Sequence, residues 1–460
     1  MAKTARVENL HAYSSLVGAL VVFFRMMLKP EERADRVALS NCKVGLMTVE
    51  IYEGFSMPNH GATRALLDLV VRETGTSAVR RALAANKSTI IDGSIGLVEC
   101  LEKWVEAPDN AFWHPTIGQL KAQLTSEHCS IPLKWLVEIG CIAQLGGASA
   151  SWSFNLQTHQ RLWIGRWLLP EIVSGAVHGD QNEFCLRARR SDGQLTALKL
   201  SRDMKSREWN ADQLPQNTFE LPKVDLTPID KVFLVPAEML DETLLPEFPG
   251  AQFQQCDKLS GFAHSLKQTA ELISLYAPEY LNWVADVVSF IAPLVVPPGI
   301  IGSSSTPNHS GLVSISEDAG PLMTAELLVH EASHQYFFVA ACLGEMCECS
   351  EERLYYSRIA QRERPIERIL VAYHALGNML LFYDRCLEGG VACEKRMAYI
   401  LTQMKQLSET LDKADALTLL GRALWLPLSE KARHIGTKIR ETASYDLSEA
   451  ERNMARIKGA

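Results

Sequence analysis

Residues 321–344, PLMTAELLVHEASHQYFFVAACLG, carry the pattern that most constrains the fold. Pro321 suits the first turn of a helix and apolar residues recur through the segment, so the pattern predicts a long buried helix. His330 and His334 are four residues apart, which places their side chains on one helix face with Cβ atoms about 5–6 Å apart. Glu331 follows the first histidine directly. This HExxH arrangement is typical of a helix that supplies two imidazole ligands to one metal ion.

Composition limits what else the chain can be. Its 460 residues, 47% of them hydrophobic, suffice for a large core and for two or three structural units. The formal net charge is −8 and no basic stripe is present, so we expect no nucleic-acid partner. Two apolar segments, GALVVFFRMMLK and WVADVVSFIAPLVVPPGII, are too short or too interrupted for a membrane span of roughly 20 apolar residues. We expect both to be buried helices, and no membrane partner.

Cysteine usage indicates the compartment. The 11 cysteines are odd in number and scattered, unlike the dense, even set of a secreted disulfide framework. The spacing of Cys342, Cys347 and Cys349 fits no common zinc pattern. The first residues, MAKTARVENLHAYSSL, lack the layout of a signal peptide. The sequence therefore predicts a cytoplasmic protein.

Helical and β-rich patterns alternate along the chain. Residues 1–150 carry apolar residues at helical spacing, whereas 155–240 are rich in branched and aromatic residues and contain a hairpin turn at RSDGQ. Helical patterns return from 257, and a Ser/Gly/Pro loop and a short strand, GLVSIS, precede the HExxH helix. A charged connector leads to another long helix and a helical tail. We expect an α+β protein, mainly helical, with a helical then β-rich region at 1–250 and a mainly helical metal-binding region at 251–460.

Two imidazoles do not complete a metal site, so a third protein ligand is needed. Zinc peptidases that use a third histidine six residues past the second would need it at position 340, which is Ala340. Other zinc peptidases use a glutamate on a later helix. His374, in RILVAYHALGNMLLFY, is a better candidate, because it lies on an otherwise apolar helix just downstream of HExxH. The remaining candidates are the carboxylates of Glu351, Glu352 and Glu367. Glu351 and Glu352 lie in the charged connector.

Further polar residues flank these candidate ligands. Glu326 lies one turn before His330 and could accept the second ring N–H of that histidine, although it could equally be a solvated charge. Asn378 lies one turn after His374 and shares its face. His309, in the loop TPNHSG, could also face the site, although a histidine in such a loop is more often an ordinary loop residue.

The identity of the metal stays open at this stage. Three neutral imidazoles with open positions suit zinc, which acts as a Lewis acid and lowers the pKa of its bound water to about 7. Glu331 would then be the general base of a peptidase. The same set suits non-haem Fe(II), whose usual ligands are two histidines and one carboxylate, and whose open positions could take a 2-oxo acid and dioxygen.

The stretch 326–383 resembles the HExxH-motif proteins associated with ribosomally synthesised, post-translationally modified peptides. AELLVHEASHQ, YYS, RERPIERIL and YHALGNMLLFY carry the resemblance. Members of this family, once regarded as zinc peptidases, resemble iron- and 2-oxoglutarate-dependent oxygenases that hydroxylate a β-carbon of a precursor peptide. The resemblance implies a zincin-like catalytic unit in the C-terminal half of the chain.

The resemblance also implies site roles, residue by residue. His330, His334 and His374 would hold Fe(II), and 2-oxoglutarate would chelate the iron through its C1 carboxylate and keto oxygen. Glu331 would not need to take a proton from water, so it would contact a ligand or the substrate instead. The far carboxylate of 2-oxoglutarate needs a cation, for which a guanidinium fork is the natural partner. The connector offers Arg358, Arg362, Arg364 and Arg368. Arg364 is the first choice because it matches the Arg-Pro of the family, and the residues expected to add hydrogen bonds are Tyr356 and Ser357.

Three functions are consistent with the sequence. The first is an Fe(II)/2-oxoglutarate-dependent oxygenase that uses dioxygen to hydroxylate a side-chain β-carbon of a ribosomally made precursor peptide. The second is a zinc-dependent HExxH metallopeptidase, which Glu331 in the general-base position supports. The third is a non-catalytic peptide-binding scaffold, which the size of region 1–250 supports.

Overall fold

The computed structural model describes residues 54–58, 62–106, 113–125, 131–203, 205, 208–227, 231–240, 251–348, 354–357, 359 and 361–442. The described part is α+β and mainly helical, which confirms the predicted fold class at that level. The apolar segment GALVVFFRMMLK and the predicted surface helix at the end of the chain lie outside the described residues. Within the described residues, no helix combines the length and apolarity that crossing a membrane requires.

The helices occur in two groups, separated along the chain by the β-rich region. Their bounds are α1 Ala62–Gly93, α2 Leu97–Glu106, α3 Pro115–Thr125, α4 Leu133–Leu145, α5 Leu259–Tyr276, α6 Pro278–Val287, α7 Pro321–Ala341, α8 Ile366–Glu388, α9 Glu394–Leu411 and α10 Leu419–Thr442.

The strands form two larger sheets and one hairpin. Their bounds are β1 Ser94–Ile95, β2 Ala150–Ile164, β3 Trp167–Gly179, β4 Glu183–Arg190, β5 Leu195–Arg202, β6 Trp209–Gln213, β7 Phe219–Glu220, β8 Lys223–Asp225, β9 Lys231–Leu234, β10 Gln252–Phe253, β11 Phe290–Val295, β12 Ser303–Ser305, β13 Leu312–Ser316, β14 Leu354–Ser357 and β15 Arg362–Pro365.

Tertiary contacts divide the chain into two compact units. The first unit comprises 1–70, 339–377 and 398–460, and the second comprises 71–338 and 378–397. Residue 250, where the sequence analysis places a boundary, falls inside the second unit. The HExxH motif and both larger sheets belong to the second unit, whereas His374 belongs to the first.

The first sheet of the second unit is the predicted β-rich region. It is an antiparallel meander in the order β1-β2-β3-β4-β5-β6, with β7 beside β3. The RSDGQ turn joins β4 to β5, and Gly193 adopts a φ of +81° there, which glycine allows without strain. Alternate residues of the strands face a core that includes Leu198 and Leu200 of β5 and the apolar faces of α2 and α4. The hairpin prediction is confirmed.

The second sheet positions the HExxH helix. Its order is β12-β13-β11-β9-β8, with β9, β11 and β13 parallel and β12 antiparallel at the edge. The predicted strand GLVSIS is β13, and all five of its residues are buried. β13 pairs with β11 on one side and with β12 on the other, so β12 is an edge strand among the described strands, and its serines reach Glu331 in the middle of α7.

One prediction about this region is wrong. The segment WVADVVSFIAPLVVPPGII was expected to be a buried helix, but α6 ends at Val287 and the chain continues as β11. β11 pairs in parallel with both β9 and β13, at the centre of the sheet. A short continuous apolar run fits a buried helix and a central parallel strand equally well, and the long-range pairing decides between them.

The charged connector between the two long helices forms a hairpin in the first unit. β14 and β15 pair antiparallel, with Tyr355 opposite Arg364 and Ser357 opposite Arg362. α8 begins at Ile366, directly after Pro365, because the proline restrains the chain at the first turn of the helix.

Candidate metal centre

Helix α7 is held against the start of β13 by a buried glutamine. The Oε1 of Gln335 accepts a hydrogen bond from the backbone N–H of Gly311 at 2.9 Å, and its Nε2 lies 3.4 Å from the carbonyl oxygen of Leu312. On the same helix, the ring of Tyr336 stacks on Trp283 with ring centroids 3.4 Å apart. These contacts fix both the position and the rotation of α7, and therefore the direction in which the HExxH face points.

The HExxH face gathers three potential metal ligands. One ligand atom from each of His330, Glu331 and His334 lies within 4.8 Å of the others. The two imidazole rings have centroids 4.5 Å apart. The histidine side chains are 29% and 18% exposed, whereas the carboxylate of Glu331 is 1% exposed. The imidazoles are thus reachable by an ion from solvent, and in the described part of the chain no other group of three such residues is as close.

Both carboxylate oxygens of Glu331 are held by the edge strand. Ser303 Oγ donates to Oε1 at 2.6 Å, and Ser305 Oγ donates to Oε2 at 2.5 Å. Alternate residues of a strand point to the same side, so the spacing of the two serines brings both hydroxyls onto α7. These hydrogen bonds compensate the burial of the carboxylate and fix its orientation beside the two histidines.

The charges of the cluster are coupled. Burial raises the pKa of Glu331. The neighbouring His334 and His330, together with the hydrogen bond from Ser303, outweigh that effect and lower the pKa to about 2. Burial lowers the pKa of His330 to about 4, and His334 lowers it as well. At neutral pH the carboxylate is therefore ionised and His330 is a neutral imidazole, which is the form that binds metals.

Met379 on α8 contacts the ring of His330. Its Sδ lies 3.2 Å from Nδ1 of His330, within reach of a hydrogen bond from the ring N–H. Nε2 of the same ring lies on the side of Glu331, 3.9 Å from Oε1. With the proton on Nδ1, the Nε2 lone pair is available on the side of the candidate centre.

The sequence allows Glu326 to be an acceptor of the His330 N–H, but the structure gives Glu326 other partners. Its carboxylate, which is almost fully buried, accepts hydrogen bonds from Arg396, with Nε at 2.7 Å, and from the hydroxyl of Tyr383 at 2.6 Å. A second guanidinium nitrogen of Arg396 contacts the other carboxylate oxygen. The guanidinium satisfies a buried carboxylate better than a neutral imidazole does, because it supplies a full charge and two parallel donors.

His374 is not part of the three-residue group. It is completely buried in the first unit, and its Nε2 lies 2.9 Å from the carbonyl oxygen of Phe55. Asn378, in the second unit, is also completely buried, and its Oδ1 accepts a hydrogen bond from the hydroxyl of Tyr280 at 3.2 Å. The structure thus brings together His330, Glu331 and His334. A ligand role for His374 stays a prediction.

The residues assigned to the cosubstrate lie on the hairpin of the first unit. Arg364 on β15 is partly buried, Tyr356 on β14 is 52% exposed, and Ser357 is buried. Binding of 2-oxoglutarate by these residues stays a prediction. His309 is buried in its loop, with Nδ1 3.0 Å from Thr306 Oγ1 and Nε2 3.2 Å from Gln119 Nε2, contacts that fit an ordinary structural histidine.

Several residues of the centre escaped the sequence analysis. Ser303 and Ser305 alternate in the run SSS before β13, and that alternation is the one signal that could have indicated a strand with two hydroxyls on one side. Met379 and Arg396 gave no signal, because they are 49 and 70 residues from their partners His330 and Glu326.

No protein-family description matches the sequence, and no curated protein is significantly similar to it. The function is therefore argued from the residues of the site.

Proposed function

We propose that the protein is a metal-dependent peptide hydroxylase that uses Fe(II), 2-oxoglutarate and dioxygen. A zincin-like arrangement, with the HExxH helix beside an edge strand, would serve oxidation rather than hydrolysis. The observation that carries the proposal is the state of Glu331, whose two oxygens both accept serine hydroxyls.

A peptidase of the HExxH type requires the glutamate to take a proton from a metal-bound water. Glu331 is 1% exposed and anchored at both oxygens by Ser303 and Ser305. A carboxylate held in this way is suited to orienting its neighbours, whereas a general base must reach and exchange a proton with the reacting water. An oxygenase needs no such base, so the hydrogen-bonded glutamate supports oxidative chemistry.

The donor set fits a divalent metal. The imidazoles of His330 and His334, in a group whose ligand atoms lie within 4.8 Å of one another, would be two of the protein ligands of a non-haem Fe(II) centre. His330 and His334 would bind the ion, and the N–H···S contact with Met379 would keep the ring of His330 in place. With Fe(II) bound, dioxygen would be the oxidant: one oxygen atom would enter the C–H bond, and the other would oxidise 2-oxoglutarate to succinate and carbon dioxide.

The substrate would align on the edge strand. β12 pairs with β13 on one side only among the described strands, and its opposite edge is open to an extended peptide. Ser303 and Ser305 would then hold Glu331 while the backbone of β12 holds the peptide.

The test uses a spectroscopic band that does not require the peptide substrate. Fe(II) is added anaerobically to metal-free protein and 2-oxoglutarate is titrated, because a 2-oxo acid chelated to Fe(II) absorbs visible light. We expect a saturable band that is lost in His330→Ala and kept in His178→Ala, a control at an exposed histidine of β3. Loss of metal in His374→Ala would support its role as a ligand, and full metal occupancy would exclude it.

The second candidate is a zinc metallopeptidase, which two histidines, an adjacent glutamate and an open edge strand also favour. Protein that retains stoichiometric zinc and gives no band with Fe(II) and 2-oxoglutarate would contradict the oxygenase. Glu331→Gln then separates the two functions. A peptidase would lose its activity, whereas the oxygenase would keep its 2-oxoglutarate band.

A further inference from the structure

We propose that the groove beside the first half of β5 binds an acidic peptide in extended conformation, which adds to the first sheet as a further strand. This surface lies on the meander of the second unit, and the argument for it does not use the metal centre. It rests on an open sheet edge, a groove flanked by exposed leucines, and uncompensated positive charge.

The open edge arises because β6 is shorter than β5. On one side, β4 pairs with β5 along 195–201. On the other side, β6 pairs only with 199–202, in a register that shifts between Lys199 and Leu200. Among the described strands, none pairs with 195–198 on that side. Backbone N–H and C=O groups in such a stretch are available to an added strand.

A groove runs along this stretch. It has a volume of about 520 Å³ and lies between residues 194–199 of β5 and residues 212–216, where the chain leaves β6. Leu195 is 85% exposed and Leu214 is 39% exposed, one on each side of the groove. The volume falls within the range of about 300–1,000 Å³ that is usual for ligand sites. Two exposed leucines offer apolar contacts to the side chains of a bound strand.

Positive charge lies on the exposed face of the sheet beside the groove, and Lys199 lines the groove itself. Arg187, Arg189 and Lys199 lie on the exposed face of β4 and β5, and no ion pair is found for any of them within the described part of the chain. The residues directly opposite Arg187 and Arg189 on β5 are Ala197 and Leu195, so neither arginine faces a carboxylate across that pair of strands. Acidic side chains of a bound strand would compensate these charges.

In the described part of the chain, three carboxylates lie near the groove, and two of them share one arginine. Glu171 and Asp192 both contact Arg190 at 3.6 Å. Asp212, which lines the groove, accepts a hydrogen bond from Ser201 at 3.1 Å. The remaining cations also disfavour a second copy of this edge as the partner, because two-fold pairing would bring like charges together. The chemistry of the groove therefore fits an acidic, extended peptide.

The test measures fluorescence anisotropy of a labelled peptide, EVEVEVEV, with the full chain. We expect saturable binding that weakens as salt is raised, and no binding of KVKVKVKV. Lys199→Glu, which reverses the cation that lines the groove, should weaken binding by at least about tenfold. The matched control Arg161→Glu, at an exposed position of β2, should bind as the parent protein does.

Two methylated peptides test the strand geometry. Methylation of the valine amides removes the donors of one edge of the peptide, and methylation of the glutamate amides removes those of the other, because alternate residues point to opposite edges. Strand addition predicts that one of the two peptides loses binding and the other keeps it. The proposal would be overturned if both peptides bound equally, or if binding did not saturate up to about 1 mM peptide, the weakest affinity of interest. It would also be overturned if sedimentation showed that the protein self-associates through this edge. An unchanged circular dichroism spectrum and melting temperature of the charge-reversal variant show that it is folded.

Discussion

Ser303 donates a hydrogen bond to Glu331 at 2.6 Å across 28 residues of sequence. Ser305 makes the matching contact with the other oxygen. The two hydroxyls donate to a carboxylate that is 1% exposed, and the neighbouring His334 places its Nδ1 3.4 Å from the same group. The edge strand and the HExxH helix are therefore joined at the side chain that lies between the two candidate metal ligands.

Removing both hydroxyls should destabilise the protein. In Ser303→Ala/Ser305→Ala, the buried carboxylate of Glu331 loses two charge-assisted hydrogen bonds, and we expect the free energy of unfolding to fall by about 2–4 kcal/mol. Urea denaturation measures this. The control is Ser304→Ala, because Ser304 lies between them on the strand and its hydroxyl contacts Ser314 instead. Equal stability of the double variant and the control would show that the serines do not stabilise the carboxylate.

Replacing Met379 should weaken metal binding without unfolding the protein. Met379→Leu keeps the volume but removes the sulfur that accepts the N–H of His330. Loss of such an orienting contact typically lowers metal affinity by about 10–100-fold, and we expect the lower end for a weak thioether acceptor. Isothermal titration with Zn²⁺ or anaerobic Fe(II) measures the affinity. Met397→Leu, at a buried methionine whose sulfur contacts Cys393, is the control and should leave it unchanged.

The Glu326–Arg396 pair should behave as a buried ion pair. Arg396→Met leaves the carboxylate of Glu326 with the hydroxyl of Tyr383 but without a positive charge, so we expect a loss of about 3 kcal/mol of unfolding free energy. Adding Glu326→Gln removes the uncompensated charge and should restore part of that loss. Chemical denaturation of both variants measures the two effects. If the second substitution lowers stability further, the loss comes from packing and not from the isolated charge.

His114 should make the protein sensitive to acid. Burial lowers the pKa of His114 to about 3, below the value of about 6.5 expected in the unfolded chain. The folded state therefore holds the neutral ring. The stability that this provides is complete above about pH 6.5, and it is lost as the pH falls through the window down to the folded pKa, by up to about 1.4 kcal/mol per pH unit.

His114→Gln tests this contribution. Its free energy of unfolding should fall less steeply than that of the parent protein between about pH 6.5 and 4.5, the window in which the unfolded ring takes up its proton. His434→Gln, at an exposed position of α10, should follow the parent protein over the same range. Parallel pH profiles for His114→Gln and the parent protein would contradict the assignment.

The sequence predicts those parts of the centre whose signals are local. His330, Glu331 and His334 lie within five residues, and one helical turn suffices to bring them together, so their grouping follows from helix geometry. Strand β13 is preceded by a glycine and lies in a short apolar run, and it too is recognisable locally. The partner of Glu326, by contrast, depends on where Arg396 falls in the tertiary structure, 70 residues away.

Two elements show why the remainder is not predictable locally. FIAPLV is apolar throughout, as a buried helix or a central strand would be, and its pairing with β9 and β13 determines that it is β11. The connector before α8 is rich in charge and has no apolar alternation, yet Leu354–Ser357 pairs with Arg362–Pro365 as a hairpin. Strand pairing adds backbone hydrogen bonds that side-chain patterns do not reveal.

The attachment of Glu331 to β12 gives the edge strand a second role. A strand at the rim of a sheet has backbone partners on one side only, so it is displaced more easily than an interior strand. A peptide that pairs with the free edge of β12 would supply the missing backbone partners and would keep Ser303 and Ser305 against the carboxylate of Glu331. Occupation of the free edge of β12 and the orientation of the Glu331 carboxylate are in this way linked through two hydroxyl groups.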